Sequence, residues 1–147
     1  MSDTDNLLPT GRPRIEHMEM RDIVKRFPGV LACDHVNFDV RAGEVHALLG
    51  ENGAGKSTLM NILYGFYGHD EGDLLLNGNV VDINSPTDAI ELGIGMIHQH
   101  FMLVDTLTVT ENVALGLSSS RGPVLDLDKV EARIIELSET YGCLLYT

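Results

Sequence analysis

Apolar residues recur along the chain with two periods, and they divide it into short strands and short helices. Residues 15–27 and 36–40 interleave apolar with polar or charged side chains, as half-buried strands do. Two short apolar runs, 45–49 and 95–98, predict two more strands, and residues 73–76 and 80–83 predict a hairpin around Asn77-Gly78. Helical spacing predicts helices over 57–66, 85–92, 108–114 and 128–139. Strands that alternate with helices indicate a layered α/β domain.

Polar residues set the expected ends of these elements. Ser85 is placed to cap a helix that has Pro86 in its first turn, and Asp126 or Asp128 is placed to cap the last helix. Residues 41–44 are expected to form a turn, and residues 70–72 a solvated turn. Residues 1–14 show no periodicity and are expected to be a flexible tail before a domain that starts at residue 15.

Composition narrows the classes of protein and partner. The chain has 147 residues, 22 of them acidic and 10 basic, which gives a net charge of −12. No basic run exceeds two residues, so we expect no nucleic-acid partner. No apolar run approaches the roughly 20 residues that span a bilayer, and the N-terminus lacks the pattern of a signal peptide.

The cysteines and histidines do not suggest chemistry. Cys33 and Cys143 are far apart and fit neither a metal nor a disulfide spacing, so Cys33 is expected to be a buried free thiol in a reducing compartment. His98 and His100 have no Cys or carboxylate partner at ligand spacing, which makes a metal site improbable. His46 is expected to be a strand histidine with its polar atoms satisfied.

One stretch, VHALLGENGAGKST, does carry chemistry. Gly50, Gly55, Lys56 and Ser57 match the pattern G-x-x-x-x-G-K-[ST], between a predicted strand and a predicted helix. Glycines let consecutive amides face an anion, and the helix adds its positive end. The ammonium of Lys56 can reach the terminal phosphates, and the hydroxyl of Ser57 can ligate Mg²⁺. The predicted site for the nucleoside triphosphate and Mg²⁺ comprises Gly50, Glu51, Asn52, Gly53, Ala54, Gly55, Lys56, Ser57 and Thr58.

Together with this loop, two further stretches carry a resemblance. They are RFPGVLACDHVNFDVRAGEVHALLGENGAGKST and GIGMIHQHFMLVDTLTVTENVALG. The region from about residue 17 to 142 resembles the N-terminal half of an ATP-binding cassette (ABC) domain. It is most similar to the ATP-binding subunits of bacterial importers for nucleosides and simple sugars. The resemblance implies a P-loop NTPase fold, with an antiparallel β subdomain and the start of a helical subdomain.

The resemblance also assigns roles beyond the loop. The aromatic residue that stacks on adenine falls on Phe27, 29 residues before Lys56, although a strand-end core residue remains an alternative. The glutamine that contacts Mg²⁺ and the attacking water falls on Gln99, 43 residues after Lys56. Lys56 and Gln99 would then be the catalytic residues. The apolar residues 101–103 would either contact a membrane subunit or lie in the core.

Partners and location follow from the same resemblance. It implies ATP and Mg²⁺ as ligands, transmembrane permease subunits and a second cassette as partners, and indirect contact with a periplasmic or lipoprotein solute-binding protein. It also implies a peripheral position on the cytoplasmic face of the bacterial inner membrane.

The residues after Gln99 lack the other parts of an ABC ATPase. Neither a glycine-rich signature nor an apolar strand ending in Asp-Glu is present, and residues 143–147 depart from the family pattern. We therefore expect a truncated first cassette that does not hydrolyse ATP alone. The alternatives are a nucleotide-binding module without hydrolysis, a soluble ABC or other P-loop ATPase, and a small-molecule kinase. The kinase is disfavoured because only Arg121 and Arg133 follow the loop.

Overall fold

The structure is a computed structural model that describes residues 14–99, 103–115, 117 and 126–142. The chain divides into two compact units, one through Ile97 and one from His98. Each unit is described by itself.

The first unit is built on a four-stranded antiparallel sheet. Its strands are β1 (His17–Phe27), β2 (Val30–Arg41), β3 (Glu71–Leu76) and β4 (Asn79–Val81), and they lie in the order β2-β1-β3-β4. Helix α1 (Lys56–Leu63) follows β2, and helix α2 (Pro86–Glu91) follows β4. The predicted first strand, the hairpin around Asn77-Gly78 and both helices are confirmed.

The core of this unit lies between the sheet and the helices. Strand β1 supplies Met20 and Ile23, on either side of an irregularity in its register, β3 supplies Leu74, and α1 supplies Leu59 and Ile62, all buried. The N-cap of α2 is Ser85, whose hydroxyl accepts from the amide of Asp88, as the sequence predicted. This packing fixes the start of α1 against the sheet, and the start of α1 carries the candidate site.

Two predicted strands are wrong. Residues 45–49 and 95–98 belong to neither helix nor strand, and Val45, Leu49 and Ile97 are 98%, 88% and 89% exposed. A strand forms only when a neighbour accepts its backbone hydrogen bonds. Within the residues that the structure describes, these runs pair with no strand.

Residues 70–72 were expected to form a solvated turn, but they contact β1 and include the start of β3. Asp70 accepts a hydrogen bond from the backbone amide of Arg26 at 2.6 Å, and Glu71 begins β3. At Gly72, where φ is +100°, a Cβ atom would overlap the backbone of Arg21 and Asp22. The turn prediction failed because residues 70–72 contact Arg21, Asp22 and Arg26, which are far away in the sequence.

The second unit contains two helices that contact one another, α3 (Val109–Ala114) and α4 (Leu127–Tyr141). Both were predicted. Thr108 and Glu111 form a capping box at the start of α3. Asp126 is at the N-cap position of α4, but its side chain makes no capping hydrogen bond. Among the described helices none has the length and apolar character needed to cross a membrane.

Candidate functional site

The candidate site is the loop that leads into α1. Gly55 is the N-cap residue in the left-handed conformation (φ +83°), and the helix begins at Lys56. No side chain caps this end, and the first turn contains no acidic residue. The first backbone N–H groups of a helix have no partner within the helix, so this end can donate to an anion.

The shape of the loop depends on a close approach between Gly55 and β2. A Cβ atom added at Gly55 would overlap the carbonyl oxygen of Ala32 and lie 3.8 Å from Sγ of Cys33. Only glycine combines that proximity with a positive φ at low cost. Strand β2 therefore packs directly against the loop at Gly55.

Lys56 lies across its own loop. Its Nζ atom donates to the carbonyl oxygens of Gly50 and Glu51, each at 2.7 Å. The amide of Ala54 closes a turn within the loop by donating to the carbonyl of Glu51 at 3.2 Å. The ammonium thus lies against the loop backbone, and its acceptors among the described residues are neutral carbonyls, which a phosphate oxygen can replace.

The other predicted loop residues are next to Lys56 in the sequence. Ser57 is exposed in the first turn of α1, and Thr58 is half-buried beside it. Five further members of the predicted site are exposed: Gly50, Glu51, Asn52, Gly53 and Ala54. Most of the predicted loop residues are therefore accessible to a ligand.

Phe27 is at the end of β1, half-buried, and has two specific neighbours. Its ring centroid is 5.4 Å from that of Tyr67, with the ring planes 80° apart. Nζ of Lys25 lies over the Phe27 ring, 5.5 Å from the centroid. The sequence singled out Phe27 but neither of these neighbours.

Gln99 is exposed and is in the second unit, outside helix and strand. Of the apolar residues that follow it, Leu103 is 67% exposed, and residues 101 and 102 are outside the described part of the chain. The roles assigned to these positions remain predictions.

Two residues near the loop were assigned only structural roles. Cys33 is a buried free thiol, as predicted, and burial raises its pKa, which disfavours a reactive thiolate. His46 is not on a strand, contrary to expectation. Its ring packs edge-on against Phe38 at 5.0 Å, and its Nδ1 atom is 3.4 Å from a carboxylate oxygen of Glu44.

This arrangement can bind a polyphosphate. The open end of α1 supplies oriented amides, Lys56 supplies a positive charge, and the Ser57 hydroxyl supplies a neutral oxygen of the kind that Mg²⁺ accepts. The donors present fit the phosphates of a nucleotide. They also explain how a chain with a net charge of −12 can hold an anion, since local geometry decides binding.

The contacts around Phe27 were missed by sequence reasoning. Tyr67 and Asp70 come 40 and 43 positions after Phe27, and neither belongs to a recognisable motif. Lys25 is on the same face of β1 as Phe27, because residues two apart in a strand share a face. That spacing was the one available signal.

Comparison with known proteins supports the assignment of the fold. A family model described as "ABC transporter" matches residues 33–145. The solved nucleotide-free ATP-binding cassette of an ABC transporter aligns with a TM-score of 0.70 and 28% identity, over 85% of this chain and 53% of that one.

The curated relatives are import proteins. The chain is 54% identical over 85% of its length to the nucleoside import ATP-binding protein NupA of Lactococcus lactis. It is 50% identical over 88% of its length to the guanosine import ATP-binding protein NupO of Bacillus subtilis. It is 52% identical over 85% of its length to the ribose import ATP-binding protein RbsA 1 of Rubrobacter xylanophilus. The chain spans about a quarter of the length of each of these relatives. The chain belongs to the ABC transporter family, and its fold is the N-terminal part of an ABC nucleotide-binding domain.

Proposed function

We propose that the chain binds Mg-ATP at residues 50–58. The proposal extends to the whole protein, as the ATP-binding subunit of an ABC importer that couples ATP hydrolysis to uptake of a nucleoside or simple sugar. The loop geometry supports the first statement, and the names of the relatives support the second.

The observation that carries the binding proposal is the open end of α1 beside the Lys56 ammonium. Lys56 would exchange the carbonyls of Gly50 and Glu51 for oxygens of the β- and γ-phosphates. The backbone amides that follow Gly55 would hold the β-phosphate. Hydrogen bonds within the loop hold these groups, which should limit the ordering that binding requires.

The remaining site residues would act around the phosphates. Ser57 would be a protein ligand of Mg²⁺, together with Gln99, and Gln99 would also hydrogen-bond the attacking water. Mg²⁺ would supply charge neutralisation for the phosphate oxygens. Phe27 would stack on the base, a task that suits any purine and implies modest selectivity for ATP over GTP.

The same proposal implies a set of partner proteins. An importer subunit of this kind would bind transmembrane permease subunits and a second ABC cassette, and would communicate indirectly with a solute-binding protein. It would lie on the cytoplasmic face of the bacterial inner membrane as a peripheral protein. NupA and RbsA 1 are named for nucleoside and ribose import, which supports those two classes of solute.

The binding proposal is tested by Lys56→Ala. We expect loss of measurable Mg-ATP binding in isothermal titration calorimetry, because the variant removes the charge that faces the phosphates. Lys129→Ala is the matched control, since Lys129 is exposed on α4 in the other unit and forms an ion pair with Asp126. Equal affinity of the Lys56→Ala and unsubstituted chains would refute the assignment of the loop.

A further inference from the structure

The ring of Phe27 is held by contacts that the proposed function does not use. Tyr67 meets it nearly perpendicularly, with centroids 5.4 Å apart, and the Lys25 ammonium lies over the ring at 5.5 Å. A near-perpendicular aromatic pair is a favourable geometry, and a cation over a ring adds electrostatic attraction. These two neighbours restrict the orientations that the Phe27 ring can take.

Tyr67 is itself fixed, because the segment that carries it is anchored at both ends. At the α1 end, the amides of Phe66 and Tyr67 donate to the carbonyl of Asn61, at 2.8 and 3.4 Å. At the β1 end, the amide of Asp70 donates to the carbonyl of Val24 at 2.8 Å. The segment from residue 66 to residue 70 is therefore hydrogen-bonded to α1 at its start and to β1 at its end.

The carboxylate of Asp70 strengthens the second anchor. One oxygen accepts from the backbone amide of Arg26 at 2.6 Å, and the other accepts from Nζ of Lys25 at 3.1 Å. Lys25 therefore serves both contacts, since it bonds Asp70 and also lies over Phe27. Phe27, Tyr67, Lys25 and Asp70 form one connected cluster, which we term the aromatic clamp.

The clamp lies close to the phosphate loop along the sheet. Phe27 pairs with Val30 at the end of the β1–β2 hairpin, and Ala32 is two positions further along β2. Two residues of strand span about 7 Å. Ala32 is the residue whose carbonyl approaches Gly55 so closely that a Cβ atom would not fit. The end of β1 that carries Phe27 and the phosphate loop therefore contact the same short stretch of β2.

We propose that Tyr67 is a positioning residue for nucleobase binding, which orients Phe27 as the surface on which the base stacks. The inference rests on the proposed function and adds a residue to that site. Tyr67 acts through Phe27 and does not contact the phosphates. Removing it therefore weakens the binding of a ligand that has a base and spares a ligand that lacks one.

The experiment compares two ligands, Mg-ATP and Mg-tripolyphosphate, by isothermal titration with the 147-residue chain. For Tyr67→Ala we expect about three- to tenfold weaker ATP binding, the range typical of one aromatic pair, and unchanged binding of tripolyphosphate. Tyr67→Phe should restore ATP affinity because it keeps the ring. Phe66→Ala is the matched control, since Phe66 packs against Tyr64 and is the adjacent aromatic residue.

Each result decides between the possibilities. Unchanged ATP affinity in Tyr67→Ala overturns the inference, and so does an equal loss for both ligands, because that would be a structural effect on the loop. If Tyr67→Ala unfolds the chain, Tyr67→Leu keeps the apolar bulk without the ring and gives the same comparison. Failure of the unsubstituted chain to bind Mg-ATP would instead overturn the proposed function.

Discussion

At the scale of single residues, the most constrained position in the candidate site is Gly55. It combines a positive φ with a contact that leaves no room for a methyl group beside Ala32. Gly53, two positions earlier, also has a positive φ (+89°), but a Cβ atom there would meet nothing within 4 Å. Substituting each glycine by alanine therefore separates the free energy lost to a left-handed backbone from that lost to steric overlap, because only Gly55 has a close neighbour.

We expect Gly55→Ala to lower the free energy of unfolding by at least about 2 kcal/mol, since a left-handed alanine and an overlapping methyl group both cost energy. Gly53→Ala should show only the conformational part, about 1–2 kcal/mol. Urea unfolding followed by circular dichroism measures both. Equal losses in the two variants would show that β2 does not support the loop as described.

The residues that could be predicted from the sequence are those whose role is local. Lys56 and Ser57 were found because a polyphosphate site needs a glycine-rich turn and a lysine at fixed spacing. Tyr67 and Asp70 could not be found, because their importance comes from contacts with β1, 40 or more positions away in sequence. Periodicity carries no information about such contacts.

At the scale of elements, α3 illustrates how a short helix is stabilised by its first turn. The hydroxyl of Thr108 accepts from the amide of Glu111 at 3.3 Å, and the carboxylate of Glu111 accepts from the amide of Thr108 at 2.8 Å. Hydrogen bonds from the backbone and then the hydroxyl of Thr108 lower the pKa of Glu111. With six residues, α3 has few internal hydrogen bonds of its own, so this cap matters.

We expect helix stability in the second unit to fall on acidification. Because the folded-state pKa of Glu111 lies below its unfolded value of 4.5, its contribution is complete above that value. It is lost as the pH falls through the lower, folded-state pKa. Glu111→Gln should remove this part of the pH dependence, measured by thermal unfolding between about pH 3 and 6. An unaltered pH profile in the variant would contradict the role given to the carboxylate.

The elements also show where the patterns mislead. The hairpin at Asn77-Gly78 and the cap at Ser85 were predicted correctly, because turn and cap residues act over a few positions. The apolar runs at 45–49 and 95–98 were wrong, because a strand needs a partner as well as a suitable composition. A short apolar run indicates that a segment favours a strand, but the strand forms only if another strand pairs with it.

At the scale of the whole molecule, the first unit leaves apolar backbone segments accessible to solvent. Val45, Leu49 and Ile97 are each more than 85% exposed, in segments that belong to neither helix nor strand. Segments of this kind can pair with other copies of the chain. The acidic net charge opposes such contacts through repulsion, and added salt weakens that repulsion.

We expect the chain to self-associate as its concentration and the salt concentration rise. The double variant Leu49→Lys, Ile97→Lys should reduce association in sedimentation velocity, since both charges lie on the unpaired segments. Val113→Lys is the control, because Val113 is 48% exposed on α3, where the helix already uses backbone hydrogen bonds. An equal reduction by the control would mean that charge alone governs association.

The two hydrogen bonds from Lys56 to its own loop have a kinetic consequence. They hold the ammonium against the carbonyls of Gly50 and Glu51. An incoming phosphate therefore has to exchange two neutral acceptors for charged ones, and it does not have to organise a flexible segment. Association should then be limited by encounter and by this exchange, and affinity should differ between ligands mainly through how long each one stays bound.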